Sequence, residues 1–247
     1  AKSRGAKVVS ICNVQGSSIA RESDGLLLTD AGPEIGVAST KAYVCQLVSI
    51  MLFSIYLGKI KWTLEEDLVR SYLEELKTLP RKIQKILDNK ESYRKLADKF
   101  YKVNNFIFLG RSYNYPTAFE GALKLKEISY IHATGYQAGE FKHGPIALVD
   151  REMPVVCIAT KSEIYPKMIS NIQEVKARQG IIISVATEGD ETIKKYSDEV
   201  IYVPETLDMF SPILNVIPLQ LLAYYIAVNR GCDVDKPRNL AKSVTVE

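Results

Sequence analysis

One tryptophan, two histidines, four methionines and four cysteines are all that this chain of 247 residues holds of those types. Cys12, Cys45, Cys157 and Cys232 show no Cys-x-x-Cys spacing, which excludes a thiolate zinc site and a disulfide framework. They read as reduced core thiols of a cytoplasmic protein, and no metal or cofactor is expected. An excess of one charge is lacking too: 32 Lys and Arg oppose 29 Asp and Glu, for a net +3. No basic run is interleaved with aromatics, so nucleic acid is not an expected partner. Long hydrophobic runs are also scarce. The most apolar stretch, Ala42 to Leu57, carries Gln46 and is expected to form a core helix rather than a membrane span. No signal peptide is visible.

What remains is ordinary for a globular chain, with 47% hydrophobic and 25% charged residues. Apolar segments without alternation, such as Val155 to Ala159 and Ile181 to Ala186, are separated by segments of helical periodicity. That pattern indicates an α/β fold, a parallel sheet in three layers with helices on both faces. A long helix is expected from Ala38 to Ile60, and a charged helical connector from Leu64 to about Lys102, broken at Pro80. A further helix is expected from Pro116 to His132. The segments Leu26 to Lys59 and Val200 to Gly231 parallel one another, each a short strand, a loop and a long apolar helix, with Gln46 and Gln220 in corresponding places. The second copy has a complete front half and the first only its rear half, so the chain is expected to begin inside a domain. The implied division is 1–62, 63–102, 103–232 and 233–247.

Chemistry concentrates on the helix expected at 116–132. Glu120 and Lys124 are spaced i,i+4 and Lys124 and Glu127 i,i+3, which puts two acids and a cation on one side. Either they form a solvated stripe, or they form an acid–base set beside Gly121 and Ala122, where a backbone or ligand can approach closely. His143, between glycines in the segment 139–145, has few packing neighbours and is expected to face a groove, whereas His132 is expected to be structural. At the end of the chain, Lys242 lies among Leu240, Ala241, Val244 and Val246. Docked by that apolar surface and partly desolvated, it has the character of an imine-forming amine. Ser39 and Thr40 stand where the long helix begins, either as a simple cap or as hydroxyls near a phosphate. Gly110-Arg111-Ser112, at the end of a strand, is a weak ligand-site signal or a turn.

The segments EGALKLKEISYIHA, AGEFKHGP, PLQLLAYY and DVDKPRNLAKSVTVE, with ICNVQGSSIARESD and AGPEIGVASTKAY upstream, resemble the isomerase part of glutamine:fructose-6-phosphate amidotransferases, the glucosamine-6-phosphate synthases. The likeness runs from about Ala6 to Glu247. It implies a sugar-isomerase (SIS) nucleotide-binding-like fold in one partial and one complete copy. By resemblance, Lys242 forms the imine with open-chain fructose 6-phosphate, and Ala241 lies beside the sugar. Glu127 shuttles the proton between C1 and C2, supported by Lys124. His143 opens the sugar ring for the neighbouring subunit of a homodimer, and Val37 and Ser39 contact the sugar. The product is glucosamine 6-phosphate, with ammonia from a glutaminase domain that these residues do not include. The Ser/Thr-rich loop that grips the sugar phosphate in that family has no match here either. Two other functions are compatible with the motifs: a sugar-phosphate deaminase or deglycase, and a sugar-phosphate-binding regulatory module.

Overall fold

The computed structural model describes residues 1–242, in two compact units, the second beginning at Lys77. In the first unit, β1 (Val9–Cys12) and β2 (Gly25–Leu28) pair in parallel, from Val9 opposite Gly25 to Cys12 opposite Leu28. Between them lies the short α1 (Ser18–Glu22), whose N-cap Ser17 accepts from the Ala20 N–H at 3.3 Å. The long helix α2 (Lys41–Ile60) follows, starting three residues later than its apolar pattern predicts.

Helix α2 is not the core helix that its composition suggests. Only Ile55 is buried, while Ile50, Leu52, Tyr56 and Ile60 are exposed. Its 20 residues are long and apolar enough to cross a membrane by length and composition, and 11% of the apolar window is buried. A sheet of two strands offers area for one stripe of such a helix and leaves the rest uncovered.

Two helices make the connector, α3 (Glu66–Asp88) and α4 (Lys90–Phe100). Pro80 does not break them. It sits inside α3 on an exposed position, where water can reach the carbonyl that its missing N–H fails to satisfy. The break falls at Asn89 instead.

The rest of the second unit is a five-stranded parallel sheet in the order β4-β3-β5-β6-β7, with β3 Asn105–Gly110, β4 His132–Gln137, β5 Pro154–Ala159, β6 Ile181–Thr187 and β7 Glu199–Val203. The helices are α5 (Asn114–Ser129), α6 (Tyr165–Lys176) and α7 (Ser211–Asn229). Ile107 and Leu109 of β3 join Val155, Cys157 and Ile182 in a cluster with Met168, Ile172 and Val175 of α6. Phe108, between them in sequence, meets Gly121 of α5 on the opposite face. Both faces of β3 are therefore apolar, which is why its sequence does not alternate. All six residues of β5 are buried. Each such Val or Ile contributes about 1.5–3 kcal/mol by leaving water.

Strand β4 is a correction, because the helix was expected to run to His132 and no strand was expected after it. The helix stops instead at Tyr130, in the left-handed region at φ 61°, and His132 opens an exposed edge strand with its Nδ1 3.3 Å from Asn105 Oδ1. Gly135 lets this edge lie under α5, since a Cβ there would stand 2.8 Å from the Phe119 Cα. In chain order the sheet reads second, first, third, fourth, fifth, and the direction of winding reverses between β3 and β5.

Candidate active site

Helix α5 is set by the turn that leaves β3. A Cβ on Gly110 would lie 2.0 Å from the Asn114 carbonyl oxygen, and Ser112 takes φ 48° to close the turn. Asn114, at the start of α5, is buried and tied to α7: its Nδ2 donates to Ser211 Oγ at 2.9 Å, and its Oδ1 accepts from Asn215 Nδ2 at 2.9 Å. Asn215 Nδ2 also donates to Thr160 Oγ1, just beyond β5, at 3.2 Å. This buried amide network crosses the winding reversal and holds the carboxyl ends of β3 and β5 to α7. No motif in the sequence announces it. Its trace in the sequence is Ser211 and Asn215, two small polar residues in the largely apolar first half of α7.

Gly121 serves the same packing. Its missing side chain admits Leu219 of α7, whose Cδ1 would lie 2.6 Å from a Cβ, so the close approach expected there is made by a neighbouring helix. Arg111 is likewise engaged within the fold, its Nη1 donating to Asn171 Oδ1 at 2.6 Å.

Seated against α7, α5 turns Lys124 inward. Its side chain is 4% exposed, with Nζ 2.7 Å from Glu127 Oε2 and 3.3 Å from Glu120 Oε1. The solvated stripe is thus excluded. An ammonium can leave water here because two carboxylates replace its hydration. Glu127, 22% exposed, is the partner that keeps access to solvent. A carboxylate held by a buried cation on one side and open on the other is fixed in direction while free to meet a substrate proton.

The other residues singled out from sequence lie on other segments of the chain. His143 is exposed on a 3-10 turn, Phe141–His143, and its ring makes no hydrogen bond or ion pair among the described residues. Ala241 and Lys242 are exposed at the end of the described chain, and Val244 and Val246, expected to dock the lysine, lie outside the described residues. Val37 and Ser39 are half-buried in the first unit, in the loop before α2. Thr40 holds the N-cap position of that helix but its side chain makes no capping hydrogen bond. Glu34 supplies the acceptor instead: its Oε1 accepts from the Thr40 N–H at 2.7 Å and the Ala42 N–H at 3.3 Å. A carboxylate thereby occupies the N-terminus of α2, the position that a phosphate near Ser39 and Thr40 would take.

The four cysteines are all free, with Cys157 buried and the rest half-buried. Burial pushes the Cys157 thiol well up, whereas a hydrogen bond to Ser17 holds Cys12 low.

The family model for the SIS domain matches residues 1–56 and 99–230. Glutamine--fructose-6-phosphate aminotransferase [isomerizing] of Thermus thermophilus is 53% identical over the whole of this chain, which spans 41% of that protein. The chain therefore spans about two-fifths of the length of the curated relatives it matches. Among solved structures, the C-terminal domain of glucosamine-fructose-6-phosphate aminotransferase from Francisella tularensis is 42% identical with a TM-score of 0.90, over 95% of this chain and 67% of that one. Glucosamine-6-phosphate deaminase from Thermotoga maritima is 26% identical with a TM-score of 0.75, over 99% of this chain and 69% of that one.

Proposed function

The chain belongs to the SIS-domain family, and from that premise we propose that it is the isomerase part of a glutamine:fructose-6-phosphate aminotransferase, forming glucosamine 6-phosphate. The observation that carries this reading is Glu127 oriented by the buried Lys124, in a chain 53% identical throughout to such an enzyme. In this reading the Lys242 amine attacks the ketone carbon C2 of open-chain fructose 6-phosphate, and water leaves to give an imine. Ammonia then displaces the lysine from C2. Glu127 takes a proton from C1 and returns it to C2, which leaves the amine on C2 and an aldehyde at C1. Val37, Ser39 and Ala241 line the sugar. His143 opens the ring, and its exposure and uncommitted ring support service to the partner subunit of a homodimer.

Residues 1–62 then form the rear half of a first sugar-isomerase domain, 63–102 a connector, 103–232 a second domain and 233–247 an active-site tail. The uncovered apolar surface of α2 supports the first assignment. A glutaminase domain elsewhere in the longer polypeptide supplies ammonia, and the free thiols suit a cytoplasmic location.

A second reading, a sugar-phosphate deaminase, is favoured by the likeness to the Thermotoga enzyme over 99% of this chain. The test is conversion of fructose 6-phosphate to glucose 6-phosphate, and to glucosamine 6-phosphate with glutamine, by the full-length protein and its Lys242→Ala variant. Both activities present, and both lost in the variant, is the expected result. Release of ammonia from glucosamine 6-phosphate without any use of glutamine would replace this reading with the deaminase.

A further inference from the structure

Tyr130 lies three residues beyond Glu127, just past the end of α5, and it holds the C-terminal segment in two ways. Its hydroxyl accepts from the backbone N–H of Arg238 at 2.7 Å, and its ring lies under the Arg238 guanidinium, 4.2 Å from centroid to Cζ. The segment arrives prepared. Asp233 Oδ1 accepts from the N–H groups of Asp235 and Lys236 at 3.0 and 2.9 Å, and Pro237 is buried. Directly after the clamp, Asn239 takes φ 64° and redirects the chain. Lys242 follows four residues beyond Arg238, within about 14 Å of extended backbone.

Resting on the isomerase reading, we propose that the Tyr130–Arg238 clamp is the positioning device that gives Lys242 its register relative to Glu127. Tyr130 is the C-cap of the helix that carries Glu127, three residues beyond it, with its N–H bonded to the Lys126 carbonyl at 3.2 Å. Tying the tail to Tyr130 therefore references the imine-forming amine to the same rigid helix that aims the proton-transferring carboxylate. The hydrogen bond is solvent-exposed, Arg238 is exposed and Tyr130 half-buried, and neither residue lies in a strand of the five-stranded sheet. That separates positioning from stability.

The experiment uses the full-length protein with fructose 6-phosphate and borohydride. The Lys242 amine condenses at C2 with loss of water, borohydride delivers hydride to C2, and the resulting secondary amine is followed by mass spectrometry. Tyr130→Phe removes the acceptor and keeps the ring, and Arg238→Ala removes the stacked cation. Each is expected to lower kcat and the trapping rate roughly 3–10-fold, the value of one such contact, with the KM for fructose 6-phosphate and the Tm held. Arg238→Lys, which keeps a cation over the ring, is expected to recover part of the rate. Wild-type trapping at Lys242 with an equal rate in Tyr130→Phe would overturn the clamp and leave the isomerase reading standing. A rate loss that merely follows a fall in Tm would also overturn it. Absence of any Lys242 adduct in the wild type would remove the isomerase reading, and the clamp with it.

Discussion

Lys124 Nζ stands 2.7 Å from Glu127 Oε2, with the lysine side chain 4% exposed and the glutamate 22% exposed. The cation is the buried member of the pair and the carboxylate the accessible one. Lys124→Met leaves Glu120 and Glu127 without their shared counter-ion on one helix face. A loss of roughly 3 kcal/mol is expected in urea denaturation and, on the proposed isomerase reading, a loss of that activity in the full-length protein. Unchanged stability would mean that the ammonium was never desolvated.

Gly110 and Gly189 separate two reasons for glycine. A Cβ on Gly110 would meet the Asn114 carbonyl at 2.0 Å, whereas Gly189 has open space but φ 81°. Gly110→Ala is expected to cost about 3 kcal/mol or more, because backbone has to move. Gly189→Asn is expected to cost under about 1 kcal/mol, since asparagine tolerates the left-handed region. Thermal melts of the two variants compare them directly.

The Asp24 carboxyl is held below the usual carboxylate range, first by the hydrogen bond it accepts from the Val8 N–H at 2.8 Å and then by Lys2. A carboxyl lowered in the folded state contributes stability above its unfolded pKa of about 3.9. That contribution fades as the pH falls through the folded value. Denaturation followed by circular dichroism between pH 6 and pH 3 is therefore expected to show a shallower acid loss for Asp24→Asn, with wild type the more stable at the upper end.

Pro80 lies exposed within α3 and has no N–H for the Leu76 carbonyl. Pro80→Ala restores that bond and is expected to raise stability by about 1–3 kcal/mol, net of the freedom gained by the unfolded chain. A lowered Tm would show that the proline is needed to bend the helix.

Much of this architecture was legible because the signals are local. Six of the seven strands and the helices α5, α6 and α7 follow from apolar runs and helical periodicity. Strand β4, His132–Gln137, was not legible, since its burial alternates around Ala133 and Gly135 with little apolar mass, and β3 supplies the partner that makes it a strand. Pro80 misled because a helix break depends on whether water can reach the orphaned carbonyl, which is a matter of exposure. Glu34 was overlooked as the capping acceptor of α2 because it lies six positions before Thr40.

By itself the sequence determined the α/β class, the parallel order of elements and the spacing of Glu120, Lys124 and Glu127 on one helix side, because these rest on backbone periodicity and composition. Only the tertiary structure decided that Lys124 is buried while Glu127 stays open, that Gly121 is filled by Leu219, and that Tyr130 grips Arg238 from 108 residues away. Such outcomes depend on which helix covers which face of α5. Desolvation and contact across long stretches of chain exist only once the layers have packed.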